Sequence, residues 1–218
     1  MNDSVSMLPV IVVVVAAYLI GGIPFGWLVA KAYGVGDIRS QGSGNIGATN
    51  VWRVAGAKAA AWVYLGDIGK GIVAVGIARA INQQLLSRDV FLVIAGLAAV
   101  IGHIFPAYLR FRGGKGVNTA LGVMLSLLPW HSLVALIAFG ITVAVSRYIS
   151  LGSVIGGVCL FAATLAEKLF LTTGRSFIYP IMTGLLMLIV MWTHRSNLAR
   201  IAAGTENRLS LTGREKSV

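Results

Sequence analysis

The stretch GVNTALGVMLSLLPWHSLVALIAFGITVAVS, residues 116–146, contains no Asp, Glu, Lys or Arg. Its reading decides how often the chain crosses a membrane. As one helix it would run about 46 Å at about 1.5 Å per residue, against a hydrocarbon core of about 30 Å. It also contains Leu-Pro-Trp-His at 128–131. A proline inside a helix removes a backbone donor and clashes with the preceding turn. Two helices are therefore expected, a short one over about 117–128 and a second over about 131–147.

The stretches on either side follow the same logic. Residues 4–30, 90–109, 148–166 and 176–193 are also free of charge, and 54–81 is apolar apart from the polar interruptions Asp67 and Lys70 and its flanking Lys58 and Arg79. The chain as a whole is 57% hydrophobic and only 11% charged, where soluble domains carry about 25% charged residues. About 20 apolar residues suffice for a transmembrane helix. Spans are expected at roughly 7–30, 54–81, 90–109, 117–128, 131–147, 151–168 and 177–193. The expected fold is an all-α integral membrane protein with seven transmembrane helices. It forms a single polytopic domain over 1–218, with a polar C-terminal tail at about 207–218. The first span is too long for a signal-peptide core, and no Lys or Arg precedes it.

Positive charge concentrates at cytoplasmic loops. With the N-terminus outside, the inner face would hold Lys31, Arg39, Arg53, Lys58, Arg110, Arg112, Lys115, Arg147, Arg195, Arg200, Arg208, Arg214 and Lys216. That is 13 of the 18 basic residues. Arg79, Arg88, Lys168 and Arg175 would lie outside. Reading 116–146 as one span would flip the parity and expose the tail's cations outside. The expected C-terminus is therefore cytoplasmic. The net charge of +11 then reflects membrane topology and an affinity for anionic lipids or substrates, not nucleic acid.

GSGNIG at 42–47 spells the Gly-x-Gly-x-x-Gly of dinucleotide-binding folds, and Asp67 lies twenty residues past Gly47. That motif works only between a strand and a helix of a βαβ unit. Here it joins two apolar spans, and the dinucleotide reading fails. A P-loop is absent too, because Leu109 and Tyr64 stand where its first glycine would be needed. Gly-x-Ser-x-Gly, a His-x-x-x-x-Asp dyad and a His/Cys metal cluster are likewise missing, so no metal or cofactor is expected. Cys159 lies in an apolar span and is expected to be inert packing.

Three polar segments converge on the inner face. RSQGSGNIGATNVWR (39–53) offers Ser43, Gly44, Asn45, Gly47, Thr49, Asn50 and Arg53, and no acid. Backbone N–H groups, hydroxyls and a guanidinium are what phosphate oxygens accept from. FRGGKGVNTA (111–120) sets Lys115 after Gly113 and Gly114, just before the short helix, another anion-favouring arrangement. HRSNLARIAAGTENRL (194–209) adds His194 and Asn197 on one helix face, with Glu206 beyond. SRYISLGS (146–153) contributes Arg147 and Ser150. Asp67 and Lys70, three apart in an apolar helix, read as a structural ion pair. His103 is expected to be packed and hydrogen-bonded.

GSGNIGATN (42–50), GHIFP followed by FRGGKGV (102–117), and HRSNLARIAAGTE (194–206) together resemble the bacterial acyl-phosphate:glycerol-3-phosphate acyltransferases. LGDIGKG (65–71) and SRYISL (146–151) fit the same family, in the same order. Asn118, where alanine is more usual, and a longer tail are the visible departures. The resemblance implies a multi-pass enzyme of the bacterial cytoplasmic (inner) membrane, with its active site facing the cytoplasm. It would transfer the acyl group of an acyl phosphate to the sn-1 hydroxyl of glycerol 3-phosphate, giving lysophosphatidic acid and phosphate, the first step of phospholipid synthesis. Its partners would be the two substrates and the bilayer, and a monomer would suffice. By the same resemblance, Ser43, Asn45, Thr49 and Arg53 would cradle phosphate, and Lys115 would hold glycerol 3-phosphate or the leaving phosphate. Ser150, His194 and Asn197 would complete the pocket, and Glu206 would be a structural acid.

Two routes for the hydroxyl proton stay open: His194 as general base, or an oxygen of a substrate phosphate. The rival class is an organic-anion transporter. Its usual signs are repeated halves and a midplane site at broken helices, and neither is evident in the sequence.

Overall fold

In the computed structural model, residues 7–81 and 83–209 are described. All regular structure among them is helical. The apolar runs form α1 (Leu8–Gly22), α2 (Phe25–Ala32), α3 (Ala48–Ala80), α4 (Arg88–Ile104), α5 (Val117–Leu127), α6 (Pro129–Ser146), α7 (Ile149–Phe170), α8 (Ile178–Thr193) and α9 (Arg195–Ala202). Among the described residues, five segments are long and apolar enough to cross a membrane: Leu8–Ala32, Ala48–Ala80, Arg88–Leu109, Pro129–Ser146 and Ile149–Phe170. Val117–Leu127 and Ile178–Thr193 are shorter apolar helices. The break expected near Pro129 is present, with proline opening α6. A proline in the first turn sacrifices no intrahelical bond. The first span was expected to be continuous, but it is interrupted at Ile23-Pro24, where Pro24 stands just before α2. Arg214, Lys216 and the tail beyond 209 lie outside the described residues.

The chain divides into two compact units, Met1–Leu127 and Leu128–Val218. In the first, α1 lies along α4, and α3 along α5. Small residues make these contacts close. A Cβ on Gly21 would strike the Ala99 backbone, one on Gly102 the Tyr18 carbonyl, and one on Gly122 the Ile68 carbonyl. Without a hydrophobic force between helices in lipid, such close backbone approach is the main source of helix association. α3 bends at Gly56, whose φ of 85° and ψ of 175° are non-helical. A side chain is strongly disfavoured in that region.

In the second unit, α7 packs against both α6 and α8. Gly156 sits 3.1 Å, measured from an added Cβ, from the Ala135 carbonyl oxygen. The Thr164 and Thr183 hydroxyls meet at 2.7 Å between α7 and α8. Burial in α6 is the reverse of a water-soluble helix. Its one buried residue is Ser132, while Leu133, Val134, Ile137, Ile141 and Val145 are exposed. That pattern suits a helix solvated by acyl chains.

Candidate functional site

Within the first unit, a loop over residues 41–47 leads into the N-terminus of α3. Its shape is dictated by one buried side chain. Asn50 is 2% exposed. Its Nδ2 donates to the carbonyls of Gln41 (3.0 Å) and Asn45 (2.9 Å), and its Oδ1 accepts the Ser43 N–H at 2.8 Å. Asn45 Oδ1 in turn accepts the Gly47 N–H at 2.8 Å. Gly42 and Gly44 take positive φ, 57° and 71°, which glycine adopts without a Cβ penalty. Ile38 and Ile46 anchor the two sides of the loop in a core with Val51, Val63 and Leu109. Gly26 of α2 lies so close to the Ile46 carbonyl that a Cβ would overlap it. Ser43 and Gly44 are exposed, while Thr49 and Arg53 are partly buried on the first two turns of α3. The sequence reading grouped Asn50 with the phosphate ligands; both of its amide atoms are engaged in holding the loop.

A second loop, 113–116, leads into α5. The Gly113 N–H donates to Ile104 O and the Gly114 N–H to His103 O, both at 3.1 Å. These bonds fold the loop back on the end of α4 and place partly buried Lys115 one residue before Gly116 and two before the helix. Beneath it lies a buried polar group that the sequence showed only in pieces. Lys70 Nζ contacts Asp67 Oδ1 (2.7 Å), His103 Nδ1 (2.8 Å) and Ile23 O (3.0 Å). The expected Asp67–Lys70 pair is present, and the expected partner for His103 is Lys70. The carbonyl freed at the Ile23-Pro24 break becomes the third acceptor.

The second unit carries the remaining expected residues. Glu206 accepts from Asn197 Nδ2 (2.7 Å), Arg200 Nε (2.7 Å) and Ser150 Oγ (3.0 Å). It therefore ties α9 to the N-terminus of α7. Burial raises the Glu206 pKa, but the bonds from Asn197, Arg200 and Ser150, with the Arg200 charge, outweigh it and hold the carboxyl below its ordinary value. His194 is buried at the end of α8, with Nδ1 2.9 Å from Val190 O. A carbonyl only accepts, so Nδ1 bears the proton and Nε2 is the basic nitrogen. Arg147 is exposed at a left-handed turn, φ 62°, and its carbonyl accepts the Leu209 N–H at 2.7 Å. Arg208 Nε donates to Tyr148 Oη at 3.2 Å. The sequence reading did not single out Arg208 and Tyr148. Among the described residues no group of three or more His, Cys, Asp or Glu could hold a metal ion.

Residues 11–204 match the family described as glycerol-3-phosphate acyltransferase. A glycerol-3-phosphate acyltransferase of Geobacter sulfurreducens is 44% identical over 204 residues, covering 93% of this chain and 98% of that protein. One from Coxiella burnetii (strain Dugway 5J108-111) is 40% identical over 202 residues, covering 92% and 98%. Among solved structures, the glycerol 3-phosphate form of PlsY (YgiH), an integral membrane glycerol 3-phosphate acyltransferase, superposes with a TM-score of 0.83. It is 33% identical, covering 93% of this chain and 96% of that one. The lysophosphatidic acid form superposes with a TM-score of 0.79, also at 33% identity. The all-helical fold, the glycine loops and the extent of these matches lead to one conclusion: the chain is an integral membrane acyltransferase and belongs to the glycerol-3-phosphate acyltransferase family.

Proposed function

We propose that this protein transfers the acyl group of an acyl phosphate to the sn-1 hydroxyl of glycerol 3-phosphate, giving lysophosphatidic acid and inorganic phosphate. The observation that carries the reading is the pair of glycine loops, 41–47 and 113–116, each opening a helix. Helix N-termini with exposed backbone donors favour anions, and both substrates of this reaction carry a phosphate. Ser43, Asn45, Thr49 and Arg53 cradle one phosphate on a loop shaped by Asn50, Gly44 and Gly47. Lys115 holds the other, on a loop that the Gly113 and Gly114 N–H groups fold back onto α4. Arg147, Ser150, His194 and Asn197 serve the same reaction, and the chain acts as one domain.

The acyl phosphate is a mixed anhydride with a good leaving group. The hydroxyl oxygen bonds to the carbonyl carbon, the carbon–oxygen bond to phosphate breaks, and the hydroxyl proton ends on the departing phosphate. The protein then needs chiefly to align the reactants and neutralise charge. The basic Nε2 of His194 favours a second reading, in which that nitrogen takes the proton. Replacing His194 by Ala separates the two: a loss of about tenfold fits the phosphate acceptor, and a loss of roughly 10² to 10⁴, above all near the upper bound, fits a general base.

Seven crossings, with the N-terminus outside and the loops at the cytoplasmic face of the bacterial inner membrane, follow from the distribution of positive charge. An Asn45→Cys variant in a Cys159→Ala background would be labelled only from the cytoplasmic side. The donor is tested with purified protein, glycerol 3-phosphate and either palmitoyl phosphate or palmitoyl-CoA, without added metal. Lysophosphatidic acid from the acyl phosphate alone is expected. Product from the CoA ester alone would overturn the donor assignment, and glycerol 3-phosphate uptake into proteoliposomes without acyl transfer would favour a transporter.

A further inference from the structure

We propose that His103 is a further phosphate ligand, donating its Nε2–H to a phosphate oxygen bound at the 113–116 loop in a tautomer fixed by Lys70. The proposal rests on the reading of that loop as a phosphate site. Lys70 Nζ has three close acceptors, Asp67 Oδ1, Ile23 O and His103 Nδ1, at 2.7, 3.0 and 2.8 Å. An ammonium has three protons and no lone pair, so Nδ1 must accept and the ring proton sits on Nε2. The Asp67 carboxylate neutralises the lysine and keeps this arrangement in place within the buried interior.

Nε2 lies directly under the loop. A Cβ on Gly114 would overlap Nε2 and fall 3.0 Å from Cε1 and 3.2 Å from Cδ2. Glycine at 114 is what lets the ring edge come this close. The His103 carbonyl also accepts the Gly114 N–H, so a single residue holds the loop by its main chain and presents a donor beneath it. His103 is 5% exposed, and no protein acceptor among the described residues takes the Nε2 proton. A phosphate oxygen beside Lys115 would accept that proton, in a charge-assisted bond stronger than one to a neutral acceptor.

Two substitutions separate the ring edges. His103→Asn keeps an acceptor near Nδ1 for Lys70 and removes the donor at Nε2. His103→Gln places an amide near Nε2. The full-length protein is purified, and KM for glycerol 3-phosphate and for palmitoyl phosphate are measured separately, with kcat. His103→Asn is expected to raise one of the two KM values roughly ten- to hundredfold, with kcat within about threefold. The KM that rises identifies whose phosphate is bound. His103→Gln, which keeps a donor at the Nε2 edge, is expected to raise that KM clearly less than His103→Asn does. Equal loss in both variants, or no change in either, overturns the proposal. If Lys115→Ala leaves both KM values unchanged, the loop reading itself fails, whatever His103 does.

A measurement on the unaltered chain keeps the test independent of variant folding. With ¹⁵N-labelled histidine, His103 should show a protonated Nε2 and a bare Nδ1, and the Nε2 signal should move on addition of inorganic phosphate or glycerol 3-phosphate. A signal that stays put under saturating amounts of both refutes the contact.

Discussion

Asn50 Oδ1 accepts the Ser43 N–H at 2.8 Å across seven residues of chain, while the same amide's nitrogen donates to the Gln41 and Asn45 carbonyls. One buried side chain thus replaces the regular structure that residues 41–45 lack. Asn50→Ala would orphan three backbone groups, and Asn50→Asp would keep the acceptor but set a charge against two carbonyls. An unmatched buried polar group costs about 1–3 kcal/mol. Both variants are expected to lower the thermal midpoint in detergent by several degrees and to raise KM for a phosphate substrate more than tenfold, with Asp the worse. Kinetics and a melting curve on each variant check this.

Glu206 gives a pH dependence with a definite sign. Its folded-state pKa lies below the ordinary 4.5. Its contribution to stability is therefore fully present above about 4.5 and is lost as pH falls through the lowered folded value. Melting midpoints of the parent protein should decline below that point. Glu206→Gln should start lower at neutral pH and show a shallower decline, since this carboxyl no longer contributes.

Gly56→Ala tests the bend in α3. At φ 85° and ψ 175° a Cβ costs about 1–3 kcal/mol. There is no neighbouring atom within 4 Å of an added Cβ, so the penalty would come from the backbone alone. The variant is expected to insert into the membrane but to melt earlier and turn over more slowly. Similar losses in Gly56→Ala and Gly56→Ser, which share the backbone demand and differ in side chain, would locate the effect in the backbone.

The buried Asp67–Lys70 pair predicts non-additivity. Removing one partner strands a charge, at about 3–5 kcal/mol. Asp67→Asn and Lys70→Met are each expected to cut the yield of folded protein severely, and the double variant to recover part of it. A double-mutant cycle on thermal midpoints measures the coupling.

The apolar spacing and Pro129 made the helical character, the short helix over 117–127 and the α6 start legible in the sequence, because burial in lipid imposes length and composition on each helix. The pairing of Asp67 with Lys70 was legible as an i, i+3 relation, and Glu206 as an acid that orients neighbours. His103 as the partner of Lys70 was not, because thirty-three residues separate them and only packing of α3 against α4 brings them together. The Ile23-Pro24 break was signalled by Gly-Gly-Ile-Pro at 21–24, a proline after two glycines within an apolar run. Asn50 resembled a ligand because polar loop residues that shape a site and those that touch its contents have the same composition. Only the bonding pattern tells them apart.

α6 meets its own unit mainly through the small-residue seam on α7, and nearly everything else on it points outward. Its outer face should therefore evolve under a rule about greasiness, with no rule about identity. In a saturation-mutagenesis map, Leu133, Ile137, Ile141 and Val145 should accept any aliphatic or aromatic replacement and reject charge. Gly152 and Gly156, which face that helix from α7, should tolerate almost nothing. This contrast makes the outer face of α6 the natural place for a small apolar reporter that leaves chemistry elsewhere in the chain undisturbed.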